Sequence, residues 1–588
     1  MEERPGQLSC PPEASVESTT AAPPRTGLGL FAAVVAFLLP IAYSPTVNAP
    51  FWSVRVAVVL LVVAVGLPRL GTLLRSGDGA ARCAAAFLAV AIIAALVARH
   101  PAASVFGPYG FGAGLLMVAA VVAAWAIGRS LDAVGRRDVA TGILAGVLVN
   151  VVVALAQEAF DLRSADLSPF RGAYGLLGNP VHLGALLAGG TGLLAASFRG
   201  QPRRWALPAM AVGAALQLSG SRTGMLALSA VALASIWRWP RLLIATFSAC
   251  LVAGFGGALL AGPLLPDHAS SPTVVQKLEV ASEGELYDRL ENWRAGASAM
   301  SDRPLFGYGP GRLVEATSPR RTAKMATDDP ETVFYDAHNL FAEYLVTTGP
   351  LGLLALVGLL VLARPTRGPL LWCALGILAL HLMQPQSFGT TPIAFLALGA
   401  AAPPTRAGRG GRVALASTGV FAVVAVVGAG RLLVGDFLLD QANLDFSTAQ
   451  GRRAAAYLSP WPESASKLGE IYFFRSATEN VSVPKRQELE GRSVHWLAEA
   501  VRRDPARATS WNNLADVELA LGRPHEARRA FAAALERNPW STRALAALAA
   551  IALDDGDDST ADAFVTRAER VASPEAVQQL VQQRRRRT

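Results

Sequence analysis

The chain has 588 residues, 52% of them hydrophobic and only 16% charged, against about a quarter charged in an ordinary soluble protein. This balance excludes a string of water-soluble domains and points to one large membrane domain with a smaller polar part. A net charge of +9 is no sign of nucleic-acid binding, because most of the arginines lie between apolar runs, where they set membrane orientation.

Residues 1–26 are rich in Pro, Glu, Ser and Thr and read as a disordered cytoplasmic N-terminus, without the basic start and cleavage site of a signal peptide. About twenty apolar residues span a bilayer as a helix. Thirteen candidate runs follow, near 27–46, 51–67, 83–98, 106–127, 139–160, 174–197, 205–219, 224–237, 242–262, 338–363, 368–385, 391–402 and 412–434. The run at 391–402 is short enough to be re-entrant or paired with its neighbour. With the amino terminus inside, the cytoplasmic connections hold sixteen arginines, from Arg69 to Arg412, and the short outer ones only Arg99, Arg163, Arg171 and Arg222. That alternation fits the positive-inside rule through every run. It places the one long loop, 263–337, and everything after residue 434 on the outer side. The cysteines add nothing to this organisation: Cys83, Cys250 and Cys373 lie in apolar runs and Cys10 in the lead, with no CxxC pair.

The expected fold class is therefore all-α: a polytopic membrane bundle over 27–434, then an α-helical tail over 435–588. In the tail, Trp511, Leu514, Gly522, Ala527, Phe531, Ala534 and Pro539 have tetratricopeptide spacing. Leu545, Leu548, Gly556, Ala561 and Ala568 repeat it one period later, and an interrupted earlier copy begins at Leu468, Gly469 and Tyr472. Stacked helix pairs form surfaces suited to peptides or partner proteins, and the tail carries no acid–base constellation. A chain cut near residue 440 is accordingly expected to keep some activity.

Three places put charge or imidazole where lipid makes them costly. Ser219-Gly-Ser-Arg222-Thr-Gly224 is an outer turn whose small residues let an anion approach a guanidinium. Tyr287-Asp-Arg289-Leu-Glu-Asn-Trp293-Arg294 reads as an amphipathic helix, followed by Pro304-Leu-Phe-Gly-Tyr-Gly-Pro-Gly311; taken alone the glycines are more often a turn than a phosphate cradle. Asp336-Ala-His338-Asn339 leads into an apolar run that continues to Glu343 and the break Gly349-Pro-Leu-Gly352.

In this order the motifs resemble the O-antigen ligase-related family, over roughly residues 174–385. That family includes O-antigen ligases, O-antigen polymerases and protein O-oligosaccharyltransferases. The resemblance implies a GT-C-like bundle of about 12–13 transmembrane helices and a glycosyltransferase acting on a polyprenyl-diphosphate-linked glycan, at the outer face of a bacterial cytoplasmic (inner) membrane. Arg222 and Arg289 match the family's two essential arginines and His338 its essential histidine. Guanidinium groups grip phosphate oxygens bidentately, and a histidine can deprotonate the incoming hydroxyl. Arg171, Arg294, Arg320, Arg321 and Asn339 are further candidates for substrate contact, whereas His182 reads as a buried helix residue. No cofactor and no metal are expected: the pair Asp328–Asp329, followed by Pro330, reads as a solvated turn. The partners implied are the lipid-linked glycan, a glycan, lipid or protein acceptor, membrane lipid and a protein partner on the tail. The other readings are a polymerase, a protein O-oligosaccharyltransferase or, from another class, a flippase. A transporter would place polar residues near the midplane and repeat its halves; here they gather at one face.

Overall fold

Each of the thirteen apolar runs falls on a helix: Gly27–Ile41, Ser53–Arg75, Gly79–Leu96, Leu115–Arg129, Ala133–Ala159, Pro180–Gly200, Pro202–Ser219, Arg222–Ile236, Arg241–Ala261, Leu340–Leu362, Pro369–Leu380, Thr391–Ala401 and Gly411–Asp445. The computed structural model describes residues 25–160, 162, 172–237, 239–261, 283–327, 329–366, 368–403 and 411–585, and every regular element among them is helical. The polar lead up to residue 24, Arg163, Arg171, Arg238, loop residues 262–282, Asp328, Arg367, Arg406 and Arg409 lie outside the described residues.

Seven of these helices are long and apolar enough to cross a membrane, and five more are apolar but shorter. Short polar side chains begin several of them: Asp78 accepts the N–H groups of Ala80 and Ala81, Asp132 that of Gly135, and Asn179 that of Val181 ahead of Pro180. Such caps satisfy donors that the first turn cannot.

The short Thr391–Ala401 helix is buried on all sides. Eleven residues rise only about 17 Å, well short of a hydrocarbon core of about 30 Å. It packs on Leu115–Arg129, and the approach is so close that a Cβ on Gly128 would lie 2.1 Å from the Leu396 carbonyl and one on Gly399 2.2 Å from that of Trp125. Small residues at such crossings let backbones touch where lipid supplies no hydrophobic drive. The buried Arg55 is met by backbone carbonyls of Leu39 (3.1 Å), Leu177 (3.3 Å), Phe51 and Leu176, so its charge is a structural tie.

Two boundaries differ from the sequence reading in ways that matter for the site. The run at 368–385 ends as a helix at Leu380, and residues 381–390 turn back across the bundle's end. The last helix runs unbroken from Gly411 to Asp445, through the expected junction at residue 434.

The Leu340–Leu362 helix is kinked at Gly349 (φ 71°), just before Pro350. Proline has no N–H for the carbonyl four residues back, which leaves Val346 without its helical donor. The glycine-rich turn supplies the replacements: Tyr308 N–H donates to Val346 O (3.0 Å) and Gly309 N–H to Thr347 O (2.9 Å). The GYGPG segment is thus the structural plug of a helix kink, with three of its amides already engaged, that of Gly307 on Arg303 O (3.2 Å). Gly307 (φ 64°) sits where a Cβ would lie 2.3 Å from Val346 O.

The tail is a stack of helix pairs: Glu463–Thr478 with Val483–Arg503, Ala508–Ala520 with Pro524–Arg537, and Thr542–Asp554 with Asp558–Ala568, closed by Pro574–Arg585. Gly522 (φ 70°) and Gly556 (φ 77°), 34 residues apart, make equivalent left-handed turns. Ala527, Ala534, Ala561 and Ala568 are all buried where paired helices meet.

Candidate functional site

The Asp336–Ala–His338–Asn339 turn lies at the start of the Leu340–Leu362 helix, which Asn339 caps by accepting the N–H groups of Phe341 (2.9 Å) and Ala342 (3.0 Å). His338 has a backbone φ of 50°, in the left-handed region that non-glycine residues seldom occupy. One oxygen of Asp336 holds it there, accepting both the backbone N–H of His338 (2.8 Å) and its ring Nδ1 (2.7 Å). Glu343, one turn on, accepts the Ala337 N–H through Oε2 (2.9 Å). Its other oxygen is buried with no partner.

Three more segments converge on this turn. The Glu283–Ala299 helix holds it by its carbonyls: Trp293 Nε1 donates to Ala337 O (2.6 Å) and Asn292 Nδ2 to Asp336 O (3.3 Å). From the same helix, half-buried Arg289 donates through Nη1 to Met383 O (2.9 Å). The 381–387 turn links the rest: Asn339 Nδ2 donates to Leu382 O (2.9 Å), Leu340 N–H to His381 O (2.7 Å), Tyr344 OH to Gln386 Oε1 (2.7 Å), and Gln384 Nε2 to Thr223 Oγ1 (3.3 Å). Thr223 adjoins Arg222, which stands in the first turn of its helix behind the Ser221 cap. The three motifs are therefore gathered by a segment whose first part, 381–385, falls within the apolar run 368–385. Its only outward signal is a cluster of polar residues, His381, Gln384, Gln386 and Ser387, at the end of an apolar run.

Between these walls lies a small cavity, about 320 Å³ when the solvent at its mouth is included, lined by Phe111–Ala113, Asp336–Leu340, Glu343 and Gln384–Gln386. His182, half-buried in the first turn of its helix, lies close enough to Asp336, His338 and His381 to feel their charges. It lies in the first turn of the Pro180–Gly200 helix and is not part of the cavity lining.

Of the remaining candidates, Asn339 lines the cavity, and Arg294, Arg320 and Arg321 are placed elsewhere. Arg294 is exposed and pairs with Glu291 on its own helix. Arg320 pairs with Asp302 (2.6 Å) and donates to Ala316 O (2.9 Å). Arg321 is buried, its guanidinium spread over the carbonyls of Met325 (3.1 Å), Asp329 (3.0 Å) and Pro330 (3.4 Å), so it braces the loop. Asn339 spends its oxygen on the helix cap. Among the described residues no group of three or more His, Cys, Asp or Glu is arranged to hold a metal ion.

Burial opposes a charge on His338, but the Asp336 carboxylate outweighs it and holds the imidazole above its ordinary value, while Arg289 pulls the other way. Burial would likewise raise Asp336, and the His338 charge brings it below the usual carboxylate range. A histidine acting as a base must be neutral, so activity should rise with pH through this raised value. In Asp336→Asn the attraction is gone while burial and Arg289 remain. The acid limb of kcat/KM should then move to lower pH, and a limb that stays put would mean that another group titrates.

The architecture is that of a multi-pass membrane protein with a polar site at one end of its helix bundle and a tetratricopeptide tail. Residues 207–357 match the O-antigen ligase family model, and residues 508–551 a tetratricopeptide repeat. Over residues 207–357 the chain is thus similar to the O-antigen ligases, and its tail carries a tetratricopeptide repeat. The ligase match spans Arg222, Arg289, His338 and Glu343 but stops before the 381–387 turn. None of the curated proteins matches the chain.

Proposed function

We propose that this chain transfers a glycan from a polyprenyl-diphosphate carrier to a hydroxyl acceptor at the outer face of a bacterial cytoplasmic membrane. The observation that carries the reading is the cavity itself, where the Asp336–His338 pair faces a solvent-open space with Glu343 in its wall.

Nδ1 of His338 is held by Asp336, which leaves Nε2 to take the proton of the acceptor hydroxyl. The freed oxygen attacks the anomeric carbon, the bond from that carbon to the diphosphate oxygen breaks, and the electron pair departs on the phosphate. Arg289, oriented by Met383 O, and Arg222, at the positive end of its helix, supply charge for that leaving group. Attack from the face opposite the diphosphate inverts the anomeric centre.

The test is purified full-length protein with lipid-linked glycan and, in separate reactions, lipid A core, a second lipid-linked glycan and an acceptor protein. Product on lipid A core is expected. Product only on the second glycan makes it a polymerase, and product only on protein an oligosaccharyltransferase. No product on any acceptor, with donor shown to be competent, would overturn the transferase reading.

A further inference from the structure

The loop segment 312–335, which runs directly into Asp336, is gripped by the tail at successive points. Arg312 is almost completely buried (1% exposed) and forks onto Asp504 of the tail through Nη1 (3.1 Å) and Nη2 (2.7 Å), while its Nε pairs with Glu315. Trp540 Nε1 donates to Arg321 O (2.7 Å) and Asn538 Nδ2 to Pro330 O (2.8 Å). Glu331 lies at the start of the Thr542–Asp554 helix, accepting from Ser541 Oγ (2.8 Å), Thr542 Oγ1 (3.2 Å) and the Arg543 N–H (2.9 Å). A carboxylate there meets unsatisfied donors and the helix dipole together.

The grip reaches the cavity wall. Arg507, paired with Glu463, lies over the ring of Tyr335 (5.9 Å), and Tyr335 packs against Phe111 (5.0 Å), a cavity residue. The same tail braces the segment leading to Phe111 through Trp461, whose Nε1 donates to Gly107 O (3.1 Å) and whose ring packs on Trp52 and Phe106. Most of these contacts come from turns between repeats, at 503–507 and 538–543. They converge on the two chain segments that frame Asp336 and His338.

We propose that the tetratricopeptide tail is a clamp on the catalytic loop, with Asp504, Arg507 and the start of the Thr542–Asp554 helix as its grips and Arg312 and Glu331 as the loop's handles. These are positioning residues: they touch neither donor nor acceptor, and they act by holding Asp336 and His338 on the cavity. The inference rests on the transferase reading of that cavity. It reverses the expectation that a chain cut near residue 440 keeps activity, because the cut takes away Asp504 and the other grips and frees the loop that carries the base.

The test uses full-length protein in nanodiscs, with the donor and acceptor that support wild-type transfer. Failure of the wild type then counts against the transferase reading and not against the clamp. Glu331→Gln, Asp504→Asn and the double variant are compared by hydrogen exchange over residues 312–338, by kcat and KM, and by pH profile. The double variant should exchange faster across the segment, with donor KM little changed. Its kcat should fall by about tenfold to a hundredfold, as when reacting groups shift by up to an ångström. Its acid limb should move to lower pH as the Asp336–His338 contact loosens, which a general loss of folded protein would not produce. Faster exchange with kcat and pH profile intact overturns the clamp, and so does unchanged exchange in the double variant. Should Asp504→Asn fail to fold, Glu331→Gln, at an exposed position, carries the same comparison.

Discussion

His338→Ala should transfer glycan roughly 10²–10⁴-fold more slowly than the wild type, the range that a positioned acid–base group contributes, while still inserting into the membrane. The expectation follows from the local chemistry. His338 is the one imidazole in the cavity lining, and its tautomer is set by a carboxylate 2.7 Å from Nδ1. Removing the ring leaves Asp336 its backbone bond to residue 338 but no side chain to orient. The structural cost should be small, about 1–3 kcal/mol for a buried acceptor that loses one partner, and thermal unfolding of the purified protein reports it separately. His338→Gln keeps a polar side chain of similar reach without a base of useful strength and should be nearly as slow. Transfer by either variant within tenfold of the wild type would remove His338 from the proton-transfer role.

Why this turn was legible and others were not is a matter of distance along the chain. Asp336, His338, Asn339 and Glu343 lie within eight residues, so a sequence can display their cap, dyad and carboxylate together. The thirteen apolar runs were legible for a related reason: each needs only its own composition to be a helix in lipid. The 381–387 turn works through the carbonyls of His381, Leu382 and Met383. Every residue carries such an acceptor, so the polar side chains of His381, Gln384, Gln386 and Ser387 hint at the turn without showing what it holds. Arg321 fails in the opposite sense. An arginine beside a membrane site looks ready for phosphate, yet this one binds three carbonyls of its own loop, and only the folded path of residues 325–330 distinguishes the two. The glycines of GYGPG were correctly read as a turn, but their partner, the Pro350 kink, lies some forty residues away. Arg312 and Asp504 are separated by 192 residues, and neither stands in a motif.

Arg222→Lys and Arg289→Lys should each lower turnover by about 10²–10³-fold, the cost of removing one preorganised donor from a developing anion. Lysine keeps the charge, so a role in bulk electrostatics alone predicts a small effect. What it loses is the planar fork that can engage phosphate oxygens bidentately. For Arg289 there is a second loss: Nη1 is fixed on Met383 O at 2.9 Å, and a single ammonium cannot hold that carbonyl and span a phosphate in the same way. Arg222 stands in the first turn of its helix, where the backbone dipole adds to its charge. Two arginines so placed can do what a divalent ion does in many sugar transferases, which is to neutralise the departing diphosphate. Turnover by the wild type should therefore be unchanged in excess chelator. The lysine variants should not recover when magnesium or manganese is added. If chelation stops the wild-type reaction and either ion restores it, the arginines are binding groups only, and a metal carries the leaving group's charge.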